Sequence, residues 1–267
     1  MKKFITFFIL GSVFLFPRLS SAQIFLEDGK VKLSVSPGEN VTGSLMAHNT
    51  SDKSIRVKIY WEDFHYEPPY DGTKKFSSLG STANSCGQWI NFSPQEFVFP
   101  PFGKQKIDYV LNPPADIHGG YYGVLFFEKE EEKRTGEVGL NVVTRVGSLF
   151  FVEAENRTKK AEVNADTFQN NILKASFKNS GDTVLIPGGT FYVMNGEGVV
   201  VDRGEIKKYY LPPQGKVDFE APVSPDLPSG KFTLVITFDL EDGDSSVKEI
   251  DFEKEGAATF RVLATRD

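Results

Sequence analysis

Ile55-Arg56-Val57-Lys58-Ile59-Tyr60-Trp61-Glu62 alternates side-chain character at every step. Successive side chains of an extended chain point to opposite faces, so Ile55, Val57, Ile59 and Trp61 share one face and Arg56, Lys58, Tyr60 and Glu62 the other. This is the pattern of a half-buried β-strand. Val138, Leu140, Val142, Thr144 and Val146 repeat it, in a run that can extend to Val152. Turn residues separate such runs at Ser36-Pro37-Gly38, Asn49-Thr50-Ser51, Asn195-Gly196 and Asp242-Gly243. No window carries an apolar stripe at helical spacing. The 267 residues hold 24 Val and 24 Phe against 18 Leu and 12 Ala, with 24 Gly and 15 Pro to make turns. That is a strand former's vocabulary, and the chain reads as all-β.

An internal repeat sets the organisation. Pro100-Pro101-Phe102-Gly103-Lys104 precedes a strand, a Pro-containing loop and then Gly120-Tyr121-Tyr122-Gly123-Val124-Leu125-Phe126-Phe127. Pro212-Pro213-Gln214-Gly215-Lys216 opens the same series, which ends in Gly230-Lys231-Phe232-Thr233-Leu234-Val235-Ile236-Thr237. Upstream, His48-Asn49-Thr50-Ser51 is echoed by Lys178-Asn179-Ser180-Gly181. The paired segments lie 112 and 110 residues apart, a period that fits two immunoglobulin-like β-sandwich domains in tandem. The polar, aperiodic stretch Glu155-Asn156-Arg157-Thr158-Lys159-Lys160 places the boundary, giving domains at 23–155 and 156–267. The run 136–152 is long for one strand and is expected to bend at Gly147 as the chain leaves the first domain.

Residues 1–22 have the anatomy of a secretory signal peptide: Met1-Lys2-Lys3, an apolar run from Phe4 to Phe16, and Ser20-Ser21-Ala22 before Gln23. No later run approaches a membrane-spanning length. Removing Lys2, Lys3 and Arg18 leaves 27 basic against 36 acidic side chains, a net charge of −9. An acidic chain has no electrostatic footprint for nucleic acid or an anionic membrane. The expected location is outside the cytoplasm, in the periplasm or on the cell surface of a bacterium. Cys86 is alone, so no intrachain disulfide forms and stability rests on burial and sheet pairing.

Catalytic chemistry has little to work with. Three histidines, His48, His65 and His118, limit acid–base catalysis, and no Gly-x-Ser-x-Gly elbow is present. No Gly-rich phosphate loop occurs, since Gly119-Gly120 reads as a backbone turn before a strand. The expectation is a non-enzymatic chain without catalytic residues, cofactor or metal. Asp63, His65 and Glu67 have a spacing a divalent ion could use, but on the face of Trp61, so the strand is expected to end or bulge by Asp63 and leave a solvated end. Asp239-Leu240-Glu241-Asp242-Gly243-Asp244 fails the calcium-loop pattern because its sixth residue is Asp244, and it reads as a hairpin loop. Residues 63–88 form an insertion without clear periodicity, holding Phe64, Tyr66, Tyr70 and Phe76. Four aromatics argue against simple disorder, and two roles stay open: a flap packed over the sandwich edge, or a partner-binding loop.

The first domain resembles a known family. Its order is the Asn-turn and alternating strand Asn49 to Tyr60, then Phe92-Ser93-Pro94 with Phe97 to Pro101, then Gly103 to Ile107. Pro113-Pro114 follows ahead of Gly120-Tyr121, and the series ends in Thr144-Arg145-Val146-Gly147-Ser148-Leu149-Phe150. This resembles the N-terminal immunoglobulin-like domain of PapD-like periplasmic pilus chaperones. The Pro-Pro segment and the strand after Gly119 are similar also to the peptidoglycan-binding domain of WxL-interacting surface proteins. The chaperone resemblance implies an exported protein that binds pilus or surface subunits by β-strand addition. Val138, Leu140 and Val142 would then fill the partner's side-chain pockets and Arg145 would be an ionic anchor, the alternative being that these residues pack their own core. The family's chaperones hold the subunit carboxylate with an Arg in the first strand and a Lys in the last. Here those strands offer Lys30, Lys32 and Arg145, which do not reproduce that pair. The alternative function is an envelope scaffold or wall-binding protein, with peptidoglycan or another wall glycan as ligand and the 63–88 insertion as the contact.

Overall fold

A computed structural model describes residues 23–130 and 143–267; Val138, Leu140 and Val142 lie outside the described residues. The chain is all-β, arranged as two β-sandwiches. The first is built from β1 (Ile24–Leu26), β2 (Lys30–Val35), β3 (Val41–Asn49), β4 (Ile55–Tyr66), β5 (Lys74–Ser78), β6 (Ile90–Ser93), β7 (Glu96–Phe99), β8 (Lys104–Leu111), β9 (Gly120–Lys129) and β10 (Arg145–Ala154). One of its sheets has the order β1-β3-β8-β6, and the other β2-β10-β9-β4-β5, with β7 also on β4. The β2–β10 pair is parallel, Lys30 opposite Leu149 and Val35 opposite Ala154.

The second sandwich comprises β11 (Ala161–Gln169), β12 (Ile172–Asn179), β13 (Gly188–Asn195), β14 (Val200–Ile206), β15 (Lys216–Pro222), β16 (Gly230–Asp239), β17 (Ser245–Lys254) and β18 (Phe260–Arg266). Its sheets run β11-β12-β15 and β14-β13-β16-β17-β18. Each sandwich has its own apolar core, around Trp61, Phe99, Phe127 and Phe150 in one and Phe177, Phe191, Phe238 and Phe252 in the other. A third apolar cluster forms where they meet, with Phe64, Tyr66, Tyr122, Val124, Phe126 and Phe151 from the first and Val184 from the second.

The repeated sequence is a repeated corner. Asn49 Nδ2 donates to the carbonyls of Lys53 and Pro100, at 2.7 and 2.9 Å. Asn179 Nδ2 donates to those of Thr183 and Leu211, at 2.8 and 3.0 Å. Both asparagines are buried. In the paired Pro-Pro-x-Gly turns, Phe102 and Gln214 both adopt left-handed backbone, at φ 54° and 65°.

Three expectations change. β4 does not end at Asp63 but continues in register with β5 to Tyr66, so the insertion begins as a hairpin. The alternation is hard to see there because both faces are buried: Asp63 inside the first core and Phe64 under the second sandwich. Asp63 is no solvated end. Its carboxylate accepts from Trp61 Nε1 (3.2 Å), the Ser81 and Thr82 amides (2.9 and 3.2 Å) and Ser85 Oγ (2.7 Å), which pins the loop after β5. Gly147 does not bend β10, whose pairing with β9 is unbroken from Arg145 to Glu153. A Cβ there would come within 2.6 Å of Val124 Cγ2, so its smallness serves packing.

Candidate functional site

The outward face of the β2-β10-β9-β4-β5 sheet looks toward the second sandwich. Phe64, Tyr66, Tyr122 and Phe151 tile it, with the Phe64 ring 5.1 Å from Tyr122, 5.5 Å from Tyr66 and 6.1 Å from Phe151. Tyr210 closes the row from the second sandwich, 5.2 Å from Tyr66. Two lysines reach over this aromatic floor from opposite edges of the sheet. Lys30 Nζ stands 4.8 Å from the Phe151 ring centre, and Lys74 Nζ 5.3 Å from Tyr66 and 5.9 Å from Tyr210.

Burial lowers the pKa of both lysines, and for Lys74 the neighbouring Lys30 charge adds to the effect. Burial also raises Tyr66, and pushes Tyr122 up to about 12, so these phenols stay neutral hydrogen-bond donors. Among the described residues neither Lys30 nor Lys74 has a carboxylate within ion-pair distance. Two cations that repel each other beside neutral phenols make a place suited to an anion.

Among the described residues, the edge of the same sheet is covered along only half of β10. β9 covers one side of β10 from Arg145 to Glu153, but β2 covers the other side only from Leu149 onward. Arg145 to Ser148 therefore has no strand on that side among the described residues. An uncovered edge offers backbone donors and acceptors to an added strand. The uncovered half lies next to the sequence segment that holds Val138, Leu140 and Val142.

Arg145 is already engaged. Its guanidinium donates to Glu62 Oε1 at 2.7 Å and Tyr60 Oη at 3.1 Å, and stacks 3.9 Å from the Phe126 ring centre. Of the insertion aromatics, Phe64 and Tyr66 are buried in the floor and Tyr70 is half-buried between the sandwiches. Phe76 is the exposed one, at 38 %. The tip of the hairpin docks on the second sandwich, where the Tyr210 amide donates to Tyr70 O at 2.9 Å. Gly72, at φ 100°, lets Tyr210 approach so closely that a Cβ would lie 2.9 Å from its ring. Gly119-Gly120 likewise does more than turn the chain: a Cβ at Gly119 would meet Asp182 O at 2.7 Å, and one at Gly120 would meet Thr183 Oγ1 at 2.3 Å.

Sequence reading named Lys30 and Lys32 but missed Lys74, Tyr122 and Tyr210. Lys74 was legible in principle, because once β4 is carried through to Tyr66, hairpin pairing puts Lys74 opposite it. Tyr210 gave no signal, since its role depends on how the sandwiches meet.

Two β-sandwiches in tandem, meeting at an aromatic cluster flanked by two lysines, define the class of fold. No family model matches this sequence, and no curated protein does. Solved structures do match. A chain from a chaperone–tip adhesin complex of CFA/I fimbriae biogenesis aligns with 90 % of this chain and 98 % of its own, at a TM-score of 0.54 and 12 % identity. The class 5 fimbriae chaperone CfaA aligns with 84 % of this chain and 97 % of its own, at a TM-score of 0.53 and 11 % identity. The fold is the one fimbrial chaperones have, as the resemblance to PapD-like chaperones implied.

Proposed function

We propose that this protein is a non-enzymatic periplasmic chaperone or assembly factor for exported pilus or surface subunits, acting by β-strand addition. The observation that carries the reading is the half-covered β10 edge beside an alternating apolar segment. Val138, Leu140 and Val142 are in phase with Val146, which packs against the first core. A subunit strand laid along this edge would gain a ladder of backbone bonds, and the alternating side chains would fill its gaps.

The subunit's terminal carboxylate would sit between Lys30 and Lys74, whose ammonium groups lie over the buried aromatic cluster of Tyr66, Tyr122 and Phe151. Arg145 would keep Glu62 and Tyr60 in place at the far end of the sheet. The fold shared with CfaA and with the chain of the adhesin complex supports the chaperone reading. The signal-like leader supports export.

The test is a pull-down of tagged mature protein from envelope extract, compared with a Val138→Asp/Leu140→Asp/Val142→Asp variant shown by circular dichroism to be folded. A stoichiometric exported subunit, lost in the variant, is the expected result. Recovery of wall fragments or assembled surface structures, undiminished in the variant, would move the function to scaffolding through the insertion and its exposed Phe76.

A further inference from the structure

The loop between β16 and β17 is held in an unusual shape. Glu241 and Asp242 both sit in left-handed backbone, at φ 65° and 57°, a region uncommon for a residue such as Glu. The constraints are visible. Asp239 Oδ1 accepts from the Glu241 amide at 2.9 Å. Lys159, its side chain almost wholly buried, donates from Nζ to Leu240 O at 3.2 Å, Glu241 O at 3.4 Å and Asp242 Oδ2 at 2.5 Å. Arg157 adds a bond to Asp242 Oδ2 at 3.1 Å.

Fixed in this way, the loop projects the Glu241 carboxylate across to the first sandwich, where it pairs with Lys32. Lys32 lies two residues from Lys30 on the same face of β2, at the rim of the cleft. Glu241 also heads the carboxylates whose charge acts on Lys30. Asp242 serves the linker and Glu241 serves the rim, so adjacent acids of one loop have separate tasks.

We propose that Glu241 is an autoinhibitory contact: in the free protein it holds Lys32, beside Lys30, and it competes with an incoming carboxylate for this lysine cluster and is displaced on binding. This rests on the proposed function, in which Lys30 and Lys74 receive a chain-terminal carboxylate. Both members of the Lys32–Glu241 pair are partly exposed, at 40 % and 36 %, so the pair is weak enough to exchange. Its effect is a threshold. An anionic chain end can replace Glu241, whereas a neutral segment gains nothing for displacing it.

The experiment uses the full mature chain and the peptide Ac-Val-Thr-Val-Thr-Tyr, as the free acid and as its C-terminal amide, titrated by NMR. The wild type should prefer the acid, and Lys30→Gln/Lys74→Gln should remove that preference. Glu241→Gln should tighten the acid by roughly two- to fivefold, the scale of an exposed ion pair, and leave the amide unchanged. Glu241→Asp, which keeps the charge but shortens the reach, should tighten the acid in the same direction. In the wild type, the Glu241 carboxylate resonance should move to its solvent-exposed position as the acid binds.

If the wild type prefers the acid but neither Glu241 variant shifts that preference, Glu241 is a structural contact and the inference is overturned. Weaker binding of the acid to Glu241→Gln would overturn it equally. If the wild type binds acid and amide alike, the anchoring reading fails, and the autoinhibitory role falls with it.

Discussion

Asn49 and Asn179 occupy matching corners of the two sandwiches, each buried and each donating to one carbonyl of its own turn and one at the start of the facing Pro-Pro-x-Gly segment. The sandwiches differ in the charge each buries elsewhere. The first encloses Asp63, whose carboxylate gathers donors from the loop after β5. The second encloses Lys254, whose ammonium donates to the carbonyls of Pro225 and Leu227, both at 2.6 Å. A common corner closes both domains, while a private buried ion shapes the loops of each. The private features of the first sandwich, with Phe64, Tyr66 and Lys74 brought in by an inserted hairpin, are the ones that make the cleft.

The sharpest way to break this comparison is Asp63→Ala. It deprives the buried Trp61 Nε1 and the part-buried donors of Ser81, Thr82 and Ser85 of their shared acceptor and should destabilise the first sandwich by about 3–5 kcal/mol. Trp61 and Trp89 both lie in the first sandwich, so denaturant unfolding followed by tryptophan fluorescence should shift. Protection of second-sandwich amides in hydrogen exchange should hold. Equal losses in both would show that the sandwiches unfold as one unit.

Asn49→Ala and Asn179→Ala should each cost about 1–3 kcal/mol, because each removes two donated bonds and the Oδ1 that accepts the amide of Ser51 or Gly181. Their fluorescence and exchange signatures should mirror one another, with Asn49→Ala read by tryptophan and Asn179→Ala by second-sandwich amides. A neutral result at either corner would separate the two copies of the repeat.

Gly119→Ala puts a side chain at φ 76° and against Asp182 O. The backbone penalty is about 1–2 kcal/mol. The expected readout is a change in inter-sandwich arrangement by small-angle scattering, with both cores intact by circular dichroism.

The smallest effect is acidic. The Lys159 ammonium, aided by Arg157, holds the Asp242 carboxyl below its ordinary value of 3.8. A depressed folded value means the contribution is full above 3.8 and is lost as pH falls through the lower, folded value. Amide shifts of residues 240–244 should therefore move in that acid window. Those around Asn49 should stay in place.

Much of this was legible in the sequence. Strict alternation in Ile55 to Glu62 announced a half-buried strand, and the echo of Asn49 in Asn179 announced a second copy of the plan. Where a strand is buried on both sides the period-2 signal fades, so the end of β4 at Asp63 to Tyr66 looks, in the sequence, like the start of a loop. Gly119 and Gly120 looked like turn residues because the thing they make room for, Asp182 and Thr183, belongs to another domain. The cleft shared that difficulty. Lys30 was visible at a strand start, but Tyr122, Tyr210 and Glu241 take their roles from the meeting of two sandwiches, which no local pattern encodes.

The parallel β2–β10 pair carries a consequence for how the protein comes into being. Lys30 waits for Leu149, a neighbour 119 residues further along. The chain emerges N-terminus first, so β2 has no sheet to join until nearly the whole first sandwich has emerged. Contacts this distant in sequence are slow to form. Closure of that sheet edge is thus expected to be a late event in maturation, and the nascent chain is most in need of protection from unwanted partners just before it.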